Sequence, residues 1–305
     1  MLRLIAELAR AGDSPMENRT GQTFGHYQLI RLLGDRFFSQ LYLGQHLQDS
    51  EPVLIRVLDL FPPHADDEAH FLVEMRQFTR LHHPHLLPIR DGGVQDHIPF
   101  LVMDYPPDCT LHDYLAEHPA LVAIVSPINS LAATLQELHE QQVIHRPLHP
   151  DEVWMANDHP MLSEPSTTFE RSLRSREELI DYVIPNEVME RECSYLAPEQ
   201  LAGQQCDCST SDQYALALMI YEWICGEYPF KGDWLRATLQ RLDALPPPSR
   251  EKAPMFPREV EAVVMRGLEK DPQKRFASLQ AFDTALEQAV LNEPDDGSFI
   301  SDTPG

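Results

Sequence analysis

The segment Tyr195-Leu196-Ala197-Pro198-Glu199-Gln200-Leu201 is the first of four short signatures in the C-terminal part of the chain. The other three follow in order: Ser211-Asp212-Gln213-Tyr214-Ala215-Leu216, Gly226-Glu227-Tyr228-Pro229-Phe230-Lys231-Gly232-Asp233 and Leu268-Glu269-Lys270-Asp271-Pro272-Gln273-Lys274-Arg275-Phe276. One such match is weak evidence for a fold, whereas four in a fixed order and spacing are specific. The fold prediction therefore rests on this series.

The two halves of the chain differ in their predicted secondary structure. Strands are predicted at 27–33, 40–45, 53–60, 86–90 and 99–103, with an amphipathic helix at 66–81 and a turn at Asp91-Gly92-Gly93. Apolar residues then recur at helical spacing at 121–138, 212–225, 234–242, 257–268 and 279–290. These patterns predict an α+β fold with two lobes: a small antiparallel sheet that carries one helix, and a larger, mainly helical lobe.

We expect three regions along the chain. Residues 1–25 are predicted to be an N-terminal extension, 26–290 one domain, and 291–305 an acidic, disordered tail. Within the domain we expect the strand lobe at 26–103, a hinge at 104–108 and the helical lobe at 109–290. Translation could begin at Met1 or at Met16, and the sequence leaves this open.

The charge of the chain excludes several classes of partner. Its 305 residues include 48 Asp and Glu against 24 Lys and Arg, a formal net charge of -24, which disfavours nucleic acid and anionic lipid surfaces. The longest apolar runs are shorter than the roughly 20 residues of a membrane-spanning helix. Five cysteines without a framework spacing favour a reducing compartment. We therefore expect a cytoplasmic protein that binds neither nucleic acid nor membranes.

The four signatures and the order of the lobes resemble the bacterial-type, eukaryotic-like serine/threonine protein kinases. The resemblance covers about residues 26 to 288 and implies the two-lobed protein-kinase fold. It also implies ATP-dependent phosphorylation of proteins as the activity of the family. For the retained residues it implies structural roles, namely a buried ion pair between Glu199 and Arg275, and hydrogen bonds from Asp212 to the backbone of the catalytic loop.

The glycine-rich loop of the family is only partly present. In the segment 33–42 the first glycine remains as Gly34, while Arg36 and Ser39 stand at the second and third glycine positions. Glycine is used there because the backbone must approach phosphate closely. Bulky residues, Phe37 and Phe38 included, are expected to cap or fill the phosphate site.

Other nucleotide-contacting positions have also changed. Arg56 stands where the family has its strand lysine, and by resemblance its partner is Glu74 on the following helix. ATP would bind at the hinge, which includes Asp104 and Tyr105. The candidate cofactor-binding residues are therefore Gly34, Arg56, Glu74, Asp104 and Tyr105.

The catalytic positions are replaced. Pro147 stands at the position of the catalytic Asp and has no group that can accept a proton. His149 replaces a second lysine, Glu152 replaces the metal-binding Asn, and Glu164 replaces the Asp of the metal-binding motif. We name no catalytic and no metal-ligating residue and expect no cofactor. ATP and Mg²⁺ are left open, since Glu152 and Glu164 could together bind a divalent cation.

Replacement of the catalytic positions beside a retained scaffold predicts a pseudokinase. Such a protein acts as a scaffold or allosteric partner, and we expect its partner to be a protein, either a kinase or a kinase substrate. Two alternatives stay open. One is a low-activity ATP-dependent serine/threonine kinase that uses Arg56 on phosphate and Glu164 on magnesium. The other is a nucleotide sensor that binds ATP without transfer.

Overall fold

The computed structural model describes residues 17–36, 39–58, 65–80, 82–106, 109–117, 121–141, 145, 148–157, 159–164, 193–202, 208–254 and 256–292. The chain divides into two compact units, residues 1–107 with 161–192 and residues 108–160 with 193–305. Pro147, Phe37, Phe38 and the predicted tail beyond residue 292 lie outside the described residues.

The first unit is built around a six-stranded antiparallel sheet. Its strands are β1 (Thr23–Phe24), β2 (Tyr27–Arg36), β3 (Ser39–His46), β4 (Pro52–Leu58), β5 (Ile89–Gln95) and β6 (Ile98–Asp104). They are ordered β1-β2-β3-β4-β6-β5. Helix α1 (Ala65–Phe78) is inserted between β4 and β5. The predicted antiparallel sheet with one helix is confirmed, although α1 ends at Phe78 rather than at residue 81.

Strand β5 corrects one prediction. The segment Asp91-Gly92-Gly93 was expected to be a turn after a strand at 86–90, but it lies inside β5, where Gly93 is opposite Phe100. The two glycines allow tight packing against their neighbours. A Cβ atom would lie 3.1 Å from Met75 if added to Gly92, and 3.2 Å from the Phe100 ring if added to Gly93. Glycine therefore permits a close approach here rather than a change of direction.

One face of this sheet is covered by a buried apolar cluster. Its members are Phe24, Tyr27, Leu29, Tyr42, Val53, Ile55, Val57, Phe100 and Val102. Because side chains alternate along a strand, Arg56 on β4 points to the opposite face from Ile55 and Val57. Strand β1 belongs to the segment predicted as an extension, yet it contributes Phe24, whose ring packs edge-on against Phe100 with centroids 5.6 Å apart.

The second unit is mainly helical. Its described helices are α2 (Leu111–Glu117), α3 (Leu121–Glu140), α4 (Pro198–Leu201), α5 (Cys208–Cys225), α6 (Trp234–Asp243), α7 (Arg258–Gly267) and α8 (Leu279–Leu291). Strands β7 (Val153–Ala156) and β8 (His159–Leu162) form a two-stranded sheet, and β8 includes residues 161 and 162 of the first unit. The five predicted helices are found with small changes at their ends, whereas α2 and the short helix α4 were not predicted. In the described part of the chain, no helix has both the length and the apolar character needed to cross a membrane.

Candidate functional site

The predicted scaffold ion pair is present in the second unit. Arg275 donates from Nη1 to Glu199 Oε1 at 2.7 Å and from Nη2 to Glu199 Oε2 at 2.8 Å. The two side chains are 0% and 3% exposed. Arg275 Nη1 also donates to the Thr210 carbonyl oxygen at 2.7 Å, and the guanidinium lies 5.0 Å from the centroid of the Tyr214 ring. This bidentate arrangement is a strong form of ion pair, and the prediction is confirmed.

Asp212, at the family position that contacts the catalytic loop, has a partner that was not predicted. Its Oδ2 lies 2.9 Å from His139 Nε2, near the end of α3. Both side chains are largely buried, at 10% and 13% exposed. The hydrogen bond from Asp212 to the catalytic-loop backbone stays a prediction, because Arg146 and Pro147 lie outside the described residues.

The central feature of the first unit is an ion pair between Arg56 and Glu164. Arg56 Nε contacts Glu164 Oε1, and both side chains are 0% exposed. Arg56 Nη1 also donates to Ser39 Oγ at 3.4 Å. A guanidinium buried among apolar strand residues needs a counter-charge, and the Glu164 carboxylate supplies it. The sequence predicted Glu74 as the partner of Arg56, and a contact between those two residues stays a prediction.

The position of Glu164 is set by backbone bonds just before it. Leu162 pairs with Leu86 in a parallel bridge. The Leu162 N–H donates to the His85 carbonyl oxygen at 2.8 Å, and the Leu87 N–H donates to the Leu162 carbonyl oxygen at 2.8 Å. The chain therefore reaches Glu164 directly from an anchored strand end. The sequence suggested that Glu164 binds a cation but did not show that this cation is Arg56. A signal was present, because each of the two positions carries a longer side chain of the same charge than the family residue.

Gly34 lies in a hairpin that is paired almost to its end. Gly34 is opposite Leu41, and the β2–β3 ladder continues through Asp35 and Gln40 to Arg36 and Ser39. The Gln40 amide reinforces the end of the hairpin, since Nε2 donates to Asp35 Oδ1 at 2.8 Å. The two strands that flank the predicted phosphate-covering segment are thus paired as far as Arg36 and Ser39. The prediction that the side chains of residues 36–38 cap or fill the phosphate site concerns side chains that the structure does not describe.

The other candidate residues of the first unit are Asp104, Tyr105 and Glu74. Asp104 ends β6, its N–H donates to the Pro88 carbonyl oxygen at 3.0 Å, and its carboxylate pairs with Arg90. The hydrogen bond to Asp104 is the largest influence that raises the pKa of Arg90. Tyr105 follows β6, and Glu74 lies on α1; both are partly exposed. All five candidate residues therefore belong to one compact unit.

The described part of the catalytic-loop region belongs to the second unit. His149 Nδ1 accepts from the Asp151 N–H at 3.2 Å, and the His149 ring lies 4.8 Å from the Tyr195 ring, edge to face. Tyr195 donates its hydroxyl hydrogen to Glu222. Burial, followed by the Glu222 charge, raises the pKa of Tyr195, which keeps the hydroxyl a neutral donor. These contacts give His149 a packing role.

The structure offers limited support for a metal site. Among the residues that the structure describes, no group of three or more His, Cys, Asp or Glu side chains could hold a metal ion. Glu152 is 5% exposed and belongs to the second unit, whereas Glu164 belongs to the first. A divalent cation held jointly by these two carboxylates stays a prediction.

The fold, the ion pair Glu199–Arg275 and the order of the signatures together define a protein kinase domain. Residues 27–286 match the family model described as "Protein kinase domain". The chain therefore belongs to the protein kinase family, and its relatives are of the bacterial serine/threonine type.

Two relatives and two solved structures illustrate the match. The chain is 28% identical over 276 residues to the serine/threonine-protein kinase Pkn1 of Myxococcus xanthus, covering 88% of this chain and 39% of Pkn1. It is 27% identical over 279 residues to PrkC of Bacillus subtilis, covering 88% of this chain and 42% of PrkC. The crystal structure of the Mycobacterium tuberculosis PknI kinase domain matches with a TM-score of 0.62 and 25% identity, covering 90% of this chain and 100% of that one. Rad53 in complex with AMP-PNP shares the fold, with a TM-score of 0.65 and 14% identity, covering 86% of this chain and 65% of that one. The chain thus spans about two fifths of the length of these two curated relatives.

Proposed function

We propose that this chain is a pseudokinase, a kinase-fold protein that acts by binding another protein and whose phosphoryl transfer is lost or strongly impaired. The observation that carries the proposal is the Arg56–Glu164 ion pair. In the family, the residues at these two positions bind the nucleotide phosphates and the metal ion. Here each charge neutralises the other, and both side chains are fully buried.

The energetics of the pair disfavour a nucleotide. Phosphates can reach the Arg56 guanidinium, and a metal ion the Glu164 carboxylate, only if the pair separates. Removing the partner of a buried ion costs about 3–5 kcal/mol, so a nucleotide must first offset a comparable loss. The planar fork of arginine also fits phosphate differently from the compact ammonium of lysine. Pro147 adds a second obstacle, because it lacks a proton acceptor.

The direct test is phosphoryl transfer from radiolabelled ATP with magnesium, using purified chain and a general protein substrate. The matched control is the double variant Arg56→Ala, Glu164→Ala. We expect wild type and control to give the same background incorporation. Incorporation by the wild type that the double variant loses would contradict the proposal and support the low-activity kinase.

The low-activity kinase has its own support. The Glu199–Arg275 pair is intact, and the relatives are named serine/threonine-protein kinases.

For a nucleotide sensor, the relevant measurement is a thermal shift with millimolar ATP, with and without magnesium. We expect no shift in either condition, because the pair occupies the charges that ATP would need. A reproducible upward shift without any transfer would support the sensor.

The proposed partner is a kinase or a kinase substrate, and the proposed location is the cytoplasm. The kinase fold together with the replaced catalytic positions supports the first by analogy with the family. The acidic charge of the chain, -24, supports a protein partner over a polyanion. Affinity capture with Arg275→Ala as the unfolding control would separate specific partners from proteins that bind any misfolded chain.

A further inference from the structure

A series of hydrogen bonds joins the N-terminal segment, residues 17–24, to the end of the β2–β3 hairpin. The N–H of Arg19 donates to the Tyr42 hydroxyl oxygen at 2.9 Å, and the Tyr42 hydroxyl donates to Gln40 Oε1 at 2.7 Å. Gln40 Nε2 donates in turn to Asp35 Oδ1 at 2.8 Å. Tyr42 and Gln40 are 0% exposed, so each polar group would be costly to leave without its bond. We call this series the Arg19–Asp35 relay.

The N-terminal segment is also anchored to the sheet independently of the relay. Strand β1 pairs with β2, and Phe24, 2% exposed, packs against Phe100. The Gly25 N–H donates to Gln95 Oε1 at 2.9 Å. Because these contacts fix the position of the segment, the hydrogen bonds of the relay can hold the hairpin end in a fixed position as well.

The hairpin needs such a device because its ladder is irregular. Register shifts interrupt the β2–β3 pairing at residues 29–31 and 32–34, so the regular pairing behind them does not fix the end. A slip of one residue would exchange the faces of neighbouring side chains. Gln40 and Ser39 are neighbours and point to opposite faces. With Gln40 held in the relay, Ser39 Oγ accepts from Arg56 Nη1 at 3.4 Å on the other face.

We propose that the Arg19–Asp35 relay is a positioning device that keeps the hairpin end against the Arg56–Glu164 pair, so that the N-terminal segment regulates entry of a nucleotide to this pair. The assignment of the pair to the nucleotide site rests on the proposed function, whereas the relay rests on its own geometry. Displacement of the segment frees the hairpin end and takes the Ser39 hydroxyl away from Arg56, which lowers the cost of separating the Arg56–Glu164 pair for an anionic ligand.

Two variants of the full chain break the relay at different places. Tyr42→Phe removes the hydroxyl and keeps the ring in the core, and Asp35→Ala removes the acceptor at the hairpin end. The matched control is Gln45→Ala, which breaks a bond of the same hairpin, Gln45 Nε2 to Gln28 Oε1 at 3.4 Å, away from its end. Amide hydrogen exchange is followed by mass spectrometry. We expect about tenfold faster exchange at residues 33–42 in both relay variants, with α5 unchanged.

Binding of a fluorescent ATP analogue is measured on the same proteins, and we expect about fivefold tighter binding by both relay variants than by wild type and Gln45→Ala. Unchanged exchange at residues 33–42 would overturn the relay. Faster exchange without tighter binding would overturn the regulatory role, as would exchange that rises equally in α5. Phosphoryl transfer by the wild type would instead contradict the pseudokinase proposal and leave the exchange result standing.

Discussion

The two compact units each contain a buried Arg–Glu ion pair, and the two pairs differ in the guanidinium atoms that meet the carboxylate. Arg275 binds Glu199 through two parallel hydrogen bonds and adds the Thr210 carbonyl oxygen at 2.7 Å. Arg56 contacts Glu164 through Nε, and its additional acceptor, Ser39 Oγ, is 3.4 Å away. Neither pair is more than 3% exposed. Burial and charge pairing therefore do not by themselves distinguish a scaffold pair from a pair at the positions where the family binds nucleotide and metal.

The largest effect is expected from Arg275→Ala. This change leaves the Glu199 carboxylate buried without its cation, and we expect a loss of about 3–5 kcal/mol of unfolding free energy. The three tryptophans, Trp154, Trp223 and Trp234, all belong to the second unit, so their fluorescence during urea unfolding reports on the correct region. Arg258→Ala, an exposed position on α7, is the control and should change stability by less than about 0.5 kcal/mol. A loss below about 1 kcal/mol in Arg275→Ala would contradict the scaffold role.

A somewhat smaller loss is expected from Arg56→Met. It leaves Glu164 buried without the guanidinium, at a cost near the lower end of about 3–5 kcal/mol. Amide exchange in β4 measures this, because the tryptophans do not report on the first unit. The double variant Arg56→Met, Glu164→Leu should recover most of the loss, since replacing a whole buried pair by apolar residues is often neutral. The double variant would argue against this view if it were less stable than Arg56→Met alone.

Most of the fold and one of the two pairs could be predicted from the sequence. Alternating and helical patterns are local, and Glu199 and Arg275 lie in the signatures that carry the family resemblance. The turn expected at Gly92 and Gly93 was wrong because the local sequence does not show their close contacts, Met75 on α1 and Phe100 on the neighbouring strand. The contact of Arg56 with Glu164 was missed because the two residues are far apart in sequence. The family pattern also pointed to Glu74 as the partner of Arg56.

The carboxyl group of Asp283 on α8 provides a contrast to both pairs. Burial, with a smaller contribution from Glu287, raises its pKa from 3.8 to about 6. The folded state therefore binds the proton more readily than the unfolded state, so this group lowers stability as pH rises from about 4 to about 6. We expect Asp283→Asn to stabilise the chain by about 1 kcal/mol at pH 7.5, a value reduced because the group is only half buried. Urea unfolding at pH 7.5 and at pH 4.5 checks this.

The pH dependence of the stability gain in Asp283→Asn separates an electrostatic cause from a packing cause. The gain should fall to about a third at pH 4.5, where the carboxyl of Asp283 is mostly protonated in the folded state but still mostly ionised in the unfolded state. Glu287→Gln is the control for the neighbouring charge and should give a smaller gain with the same direction, because that charge is the second cause of the shift. A gain that is equal at both pH values would indicate a packing effect of the amide and would contradict the electrostatic explanation.

The smallest effect is expected from Ser39→Ala. The hydrogen bond from Arg56 Nη1 to Ser39 Oγ is long, at 3.4 Å, and its removal should cost about 0.5 kcal/mol in the opening free energy of β4, measured by amide exchange. The corresponding acceptor of Arg275 is the backbone carbonyl of Thr210, which no side-chain substitution removes. The Glu199 carboxylate has a side-chain partner as well, because the Ser211 hydroxyl donates to Glu199 Oε1 at 3.0 Å, so Ser211→Ala should weaken the pair in the helical unit by a comparable amount. A loss above about 2 kcal/mol in Ser39→Ala would mean that the hydroxyl, rather than Glu164, is the main support of the buried guanidinium.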